Sequence, residues 1–304
     1  MVGEEFLTKS FLFVCSKFMK ILSDLREEHI EQAYFFRIYR ERLEEGLASQ
    51  EILETIQEEI LATTKLPMAL DFLKGEIVLT GNIGEGMARL DHYFRPFQSF
   101  IMRQAEKVRS HFDQKIALHI LQREAEYLSE NPTPAGLFIF QFECIAHNHL
   151  GYDLGMNAMA SDPMFDEDWA DWILKTRLRL GTTDFADLVF YRSEHFVNEK
   201  RRRLRDDSYR PDHAILFGAQ EGRIAKANRG KDPMFMFAAL QRQLGHPSAP
   251  RPAPRTEKSI IHPVLEQRLQ KIEMRLQLLE ADAKGDFDLS KFYAKPEDEV
   301  ENKS

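Results

Sequence analysis

Two residues in the middle of the chain, Glu143 and His147, have side chains that could bind a metal ion. They stand four positions apart in the apolar run 136–150, so a helix would place them on one face. Helical proteins build dinuclear metal sites from Glu residues and Glu-x-x-His pairs on facing helices, but the Glu-x-x-His spacing does not occur here. Four further residues could supply ligands: His92, Glu124, Glu194 and His195. A structural polar contact is the simpler interpretation of the pair, no cofactor is predicted, and a carboxylate/histidine metal enzyme is kept as an alternative.

A basic segment runs from residue 199 to residue 231 and carries ten cations against five anions. Its formal charge is +5 in a chain of net charge −8, so it could bind an acidic protein or a phosphate-bearing partner, nucleic acid included. Only Tyr209 and Phe217 are interleaved aromatic residues, which is few for base stacking. The simpler alternative is that these cations pair with nearby carboxylates. The candidate anion-binding residues are Arg201, Arg202, Arg203, Arg223, Lys226, Arg229 and Lys231.

A heptad repeat near the C-terminus is the most specific interaction signal. With Leu269 and Leu276 at position a, Arg268 and Arg275 occupy position g and face glutamates at position e of a parallel partner. A parallel homo-oligomer is therefore the self-consistent assembly. The repeat covers only about two and a half heptads, so folding back onto the core is an equal alternative. The oligomerisation residues are Leu265, Leu269, Ile272, Leu276 and Leu279.

Motifs of common enzyme classes are missing from the sequence. There is no phosphate-binding loop ending in Gly-Lys-Ser/Thr, no Gly-x-Ser-x-Gly, no His-Glu-x-x-His and no Cys-x-x-Cys. Residues 75–86 hold four glycines without the strand-turn-helix context of a nucleotide-binding loop. This stretch therefore predicts a loop or a very short strand pair between helices.

The elements that must position these residues are predicted to be helices. Apolar residues at 3/4 spacing indicate an all-α core of about eight helices over residues 1–245, beginning with a helix along Phe11 to Leu25. The run 136–150 is apolar nearly all round and predicts a central, buried helix. Asp232-Pro233 and Gly245 predict the start and the end of the last core helix. Three further segments follow: a Pro-rich linker (246–257), a coiled-coil-like helix (258–284) and a polar acidic tail (285–304).

Composition narrows the class of protein further. The two cysteines, Cys15 and Cys144, lie inside apolar runs, which excludes a disulfide framework and predicts a reducing, cytoplasmic compartment. No apolar stretch approaches the roughly 18 residues of a membrane span, so no membrane partner is predicted. The negative net charge argues against coating nucleic acid with the whole surface. We expect a non-enzymatic interaction or scaffold protein that self-associates through its C-terminal helix.

Overall fold

The computed structural model describes residues 25–60, 64–107 and 112–252, and within these ranges it contains thirteen helices and no strand. The all-α prediction is confirmed. The helices outnumber the predicted eight because several are short and end at sharp turns. They are α1 (25–45), α2 (Ser49–Glu59), α3 (Leu66–Thr80), α4 (Gly84–Arg89), α5 (Pro96–Ala105), α6 (Gln114–Ser129), α7 (Pro134–His147), α8 (Tyr152–Ala160), α9 (Glu167–Arg179), α10 (Phe185–Phe190), α11 (Glu194–Leu204), α12 (Ala219–Ala227) and α13 (Pro233–Leu244).

Helix α7 lies at the centre of the core, as its apolar sequence predicts. Ten consecutive residues of α7, from residue 136 to residue 145, are buried, including Cys144. Phe142 stacks parallel to Phe185 of α10 with ring centroids 4.3 Å apart, and Phe138 contacts Trp172 of α9 at 4.8 Å. Aromatic pairs add stability beyond the area they bury. This cluster fixes α9 and α10 against α7.

The predicted ends of the last core helix are confirmed. The Asp232 side chain accepts a hydrogen bond from Met234 N, Pro233 is the first helical residue, and Gly245 ends α13 with a φ of 69°. A positive φ costs little at glycine, and an N-cap of this kind is worth about 1 kcal/mol. Residues 191–193 form a turn that separates α10 from α11.

The loop or strand pair predicted at residues 75–86 is wrong, because this stretch ends α3 and begins α4. Of its glycines, only Gly81 has a positive φ, of 76°, where it ends α3. Gly84 and Gly86 instead permit close packing between helices. A Cβ atom on Gly84 would lie 2.8 Å from Arg103 N, and one on Gly86 would lie 2.9 Å from Leu73 Cδ2. Gly84 and Gly86 therefore mark tight helix contacts, which sequence does not distinguish from turns.

The first residues of the predicted Pro-rich linker pack against the helical core. His246 and Ala249 are buried, and Asn148 Nδ2 donates a hydrogen bond to Pro250 O over 2.9 Å. The rest of the linker, the heptad residues, the acidic tail and residues 11–24 of the first predicted helix lie outside the described residues. Within the described ranges, no helix has the length and hydropathy to cross a bilayer.

Candidate functional site

The seven predicted anion-binding residues belong to two helices and one turn that the fold brings together. Arg201, Arg202 and Arg203 lie on α11, and α10 and α11 both pack against α12, which carries Arg223 and Lys226. Arg229 and Lys231 lie beside Gly230 in the turn between α12 and α13. The fold therefore places cations from three stretches of sequence at one end of α10 to α12.

Two tight contacts hold this arrangement. Asp184 caps α10 through Ala186 N at 3.0 Å, and its other carboxylate oxygen accepts a hydrogen bond from Gly230 N at 2.7 Å. This second bond fixes the turn that carries Arg229. Gly222 lets α12 approach Ser193, the N-cap of α11, so closely that an added Cβ atom would lie 2.1 Å from Ser193 Oγ. A side chain at Gly222 would push α12 away from α11.

A cleft of about 220 Å³ opens between these elements, and we call it the basic–aromatic cleft. Phe190, Tyr191 and Phe196 form its aromatic part, with all three pairs of ring centroids 5.2–5.6 Å apart. Tyr191 is 47% exposed, so part of its ring is open to solvent. The lining residues of the cleft are Phe190, Tyr191, Phe196, Glu199, Lys200, Arg203 and Arg229.

Arg229 is the cation held most firmly in the basic–aromatic cleft. Its guanidinium carbon lies 4.0 Å from the centroid of the Phe190 ring and 5.5 Å from that of Tyr191. Its Nε lies 2.6 Å from Asp187 Oδ1, whereas its Nη2 is buried and has no hydrogen-bond partner among the described residues. Stacking and one ion pair therefore orient a guanidinium group whose side chain stays 33% exposed.

The other cations divide into engaged and free side chains. Lys226 Nζ donates to both carboxylate oxygens of Glu199 at 2.8 Å, and Arg201 Nε donates to Tyr209 O at 3.0 Å. The simpler alternative from the sequence is that these cations pair with nearby carboxylates. That alternative therefore holds for Lys226 and Arg229. Five candidates have no carboxylate within 4.0 Å among the residues that the structure describes: Arg201, which is held by Tyr209 O instead, and Arg202, Arg203, Arg223 and Lys231.

Nearby cations affect the pKa of His195, which lies at the start of α11. Partial burial lowers the pKa of His195; Glu199 opposes the shift, and Lys226, Arg223 and Arg202 add to it. A neighbouring cation disfavours the imidazolium form. Arg223 and Arg202 therefore act electrostatically at the same position, although they come from different helices.

The predicted metal pair is brought together but supplies few ligands. His147 Nδ1 lies 3.6 Å from Glu143 Oε1, and His147 Nε2 lies 2.9 Å from Met234 Sδ. Burial raises the pKa of Glu143 to about 7. Within the described ranges, no cluster of three or more His, Cys, Asp or Glu side chains could hold a metal ion. Glu124, one of the suggested extra ligands, is instead bonded to Gln141.

Sequence reasoning missed the polar network around Glu124, a fully buried residue of α6. Gln141 Nε2 donates to Glu124 Oε1 over 2.7 Å, and nearby Arg95 Nη1 donates to the buried Asp162 Oδ1 over 2.6 Å. Burial, and next the charge of Asp162, raise the pKa of Glu124 to about 8. Gln141 within the apolar run of α7 is the sequence signal that could have indicated a buried partner. We call this set, Arg95, Glu124, Gln141 and Asp162, the interior network.

A second, larger groove of about 660 Å³ lies between α4, α5 and α8. Phe94, Phe100 and Ala158 are among its apolar lining residues. Glu106 lines the groove too, and its carboxylate accepts hydrogen bonds from the backbone N–H groups of Ile83 and Gly84, at 2.7 and 2.8 Å. That carboxylate already serves the start of α4. Sequence reasoning did not identify this groove, because its walls come from separate helices.

The fold and the site define an all-α protein with a basic–aromatic cleft formed by α10, α11 and the turn after α12. No protein-family model matches the chain, and no curated protein or solved structure is similar enough to it to count as a match. The chemistry of the cleft residues is therefore the basis for assigning a function.

Proposed function

We propose that this chain is a non-enzymatic interaction protein that binds a phosphate-bearing partner in the basic–aromatic cleft. The observation that carries the proposal is the position of Arg229 over Phe190, beside Lys200 and Arg203. Guanidinium and ammonium groups form charge-assisted hydrogen bonds with phosphate oxygens. The exposed ring of Tyr191 offers a surface on which a flat group beside the phosphate can stack.

The charge distribution indicates weak, salt-dependent binding. The basic segment carries +5, whereas the remaining chain carries −13 and repels phosphates at long range. Each phosphate contact releases counterions, so affinity falls as salt rises. Glu199 also lines the cleft, but Lys226 neutralises it through two hydrogen bonds of 2.8 Å. We therefore expect recognition of one or two phosphate groups rather than of a long polyanion.

The binding test uses fluorescence anisotropy with two labelled probes, a short single-stranded oligonucleotide and a phosphorylated peptide beside its unphosphorylated form. Lys200→Ala with Arg203→Ala should weaken binding of the preferred probe by roughly tenfold, because two cations of the cleft are lost. Lys115→Ala with Lys175→Ala removes the same charge elsewhere and should change binding less than about twofold. Unchanged binding in the cleft variant, or binding that is tight and insensitive to salt, would contradict the proposal.

Self-association through the C-terminal repeat is the second part of the proposed function. The aliphatic heptad positions and the opposite charges at g and e support a parallel assembly. An oligomer would present several clefts to one partner and so raise the overall affinity through multivalency. A chain with these two properties would act as a scaffold.

Truncation after Arg255 tests this second part. The truncated chain should have a lower oligomeric mass by light scattering while its helical circular dichroism per residue is retained. Arg268→Glu with Arg275→Glu in the full chain should weaken assembly modestly, because like charges then face each other. A truncated chain that keeps the full oligomeric mass would remove the repeat as the assembly element and leave folding back as the better account.

A further inference from the structure

Helix α3 exposes large apolar side chains along one face. Met68 is 69% exposed, Val78 is 67% exposed and Leu79 is 80% exposed, and Phe72 lies between them at 37%. The neighbouring helix α2 has the exposed face expected of a helix in water, because its exposed residues are Gln50, Glu51, Glu54, Glu58 and Glu59. An apolar stripe of this kind marks an interaction surface.

We propose that this α3 face binds the same face of a second copy of the chain, with the two helices antiparallel. Met68, Phe72, Gly75 and Leu79 follow one another at intervals of four, three and four residues, so they lie on one stripe. A twofold axis midway between Phe72 and Gly75 places Phe72 opposite Gly75 of the second copy, and Met68 opposite Leu79. Each large side chain thus meets a complementary position, as a twofold interface requires.

Gly75 is the feature that favours a second copy as the occupant. Gly75 lies inside α3, where glycine costs about 1 kcal/mol relative to alanine. Neither a positive φ nor close packing within the described residues explains this glycine, since an added Cβ atom would meet none of their atoms within 4 Å. Opposite a Phe72 ring, the missing side chain provides the space that the ring needs. A contact with Phe72 of a second copy would account for this glycine.

The size of the α3 face fits a weak dimer. The stripe from Met68 to Leu79 is about 16 Å long at 1.5 Å per residue. Four large side chains expose on the order of 400–500 Å² here, which is within the range of functional patches. A twofold contact buries the patch twice, about 800–1,000 Å² in total, near the lower end of specific interfaces.

The charges beside the stripe do not oppose this contact. Asp71 Oδ1 accepts a hydrogen bond from Gln57 Nε2 over 2.6 Å, and Lys74 Nζ donates to Gln57 Oε1 over 2.9 Å. Both charges are therefore held towards α2 and offset each other within one copy. The contact uses none of the residues of the basic–aromatic cleft.

The test is crosslinking, with a short bismaleimide, of full-chain variants that each carry one introduced cysteine. Cys15→Ser is the parent, and Cys144 is kept because it is fully buried. A mixture of Met68→Cys and Leu79→Cys chains should give a product of twice the chain mass. Neither variant should crosslink alone, because identical positions lie about 16 Å apart along antiparallel helices. Glu51→Cys mixed with Glu58→Cys is the matched control on the polar face of α2 and should not crosslink.

Each other outcome overturns the proposal. Equal crosslinking of the single variants alone would show a different register or random collision. If no mixed product forms and a monofunctional maleimide labels both introduced thiols rapidly, the α3 face is exposed and binds no second copy. Absence of a mixed product with slow labelling would show that the chain's own residues cover α3. Phe72→Lys added to both members of the mixture should abolish the product, and a product that persists would also contradict the proposed register.

Discussion

The interior network and the basic–aromatic cleft both concentrate polar side chains, yet they differ in where their partners lie. In the interior, Asp162 is held by Arg95 and Glu124 by Gln141, and both carboxyls are almost fully buried. In the cleft, Arg229 is fixed on one side by Phe190 and Asp187, whereas Arg203 has no carboxylate partner among the described residues. The carboxyls of the interior network have partners within the chain, whereas the cleft retains unmatched charge at the surface.

This difference distinguishes polar groups that stabilise the fold from polar groups that can bind a ligand. Burial raises the pKa of Glu124 in the interior to about 8, and a search for perturbed carboxyls alone would choose that position. The cleft residues, in contrast, are accessible and keep unmatched charge. Binding requires groups that can exchange water for a ligand, which a fully buried carboxyl cannot do.

The largest effect should follow from Asp162→Ala, which leaves Arg95 as an uncompensated charge near the core. Asp162 is fully buried as a side chain and the Arg95 side chain is only 16% exposed, so we expect a loss of about 3–5 kcal/mol in the free energy of unfolding. Urea unfolding measures the loss. Binding of the phosphate probe to the folded fraction should be unchanged. A loss below about 1 kcal/mol would mean that the interior network is not the stabilising region.

A smaller effect, confined to a pH range, is expected from Glu124→Gln. The folded-state pKa of Glu124 is about 8, against the ordinary value of 4.5, so its contribution to stability is fully present below pH 4.5 and is lost as pH rises through 8. The wild-type free energy of unfolding should therefore fall by about 3 kcal/mol between pH 5.5 and pH 8 from this group. The amide introduced by this substitution can still accept the Gln141 hydrogen bond and cannot ionise.

Unfolding measured at both pH values therefore compares the wild type with Glu124→Gln, and the variant should show a flatter profile. Glu143→Gln is the matched control, since burial raises the pKa of Glu143 as well, to about 7. It should remove a separate, smaller part of the pH dependence. An unchanged profile in Glu124→Gln would show that this carboxyl is not protonated in the folded chain.

The smallest stability effect is expected in the cleft, from Lys226→Ala. The Lys226 and Glu199 side chains are 43% and 45% exposed, so losing their ion pair should cost less than about 1 kcal/mol. Binding should weaken more than the loss of one charge implies, because Glu199 then faces the probe unpaired. Lys226→Ala with Glu199→Gln should recover part of the affinity. Equal affinities of the single and double variants would show that Glu199 does not affect binding in the cleft.

The sequence predicted the elements that depend on local signals. Asp232, Pro233 and Gly245 bound α13 because capping requires only neighbouring residues, and the apolar run 136–150 predicted α7 because its composition alone demands burial. Residues 75–86 were predicted wrongly, since glycine is used both in turns and in close helix contacts. There the deciding contacts come from Arg103 and Leu73, which no local pattern includes.

The candidate site was predictable only in part, for the same reason. The excess of cations in residues 199–231 is a sequence property, so the charge was found. Its aromatic part was missed because Phe190 and Tyr191 precede the basic segment and reach it only through the packing of α10 on α12. Asp187, the partner of Arg229, lies outside the segment as well. Sequence therefore located the charge, and tertiary packing determined which side chains stay free.

Because Cys144 is buried, chemical labelling of its thiol can report when the central helix α7 separates from its neighbours. Burial, with the nearby carboxyls of Glu143 and Glu124, raises the pKa of the Cys144 thiol, so the reactive thiolate does not form while α7 is enclosed. Alkylation of this thiol requires a fluctuation that separates α7 from its neighbours. In a chain lacking Cys15, the labelling rate therefore measures how often the core opens, a kinetic quantity that the static contacts of α7 do not contain.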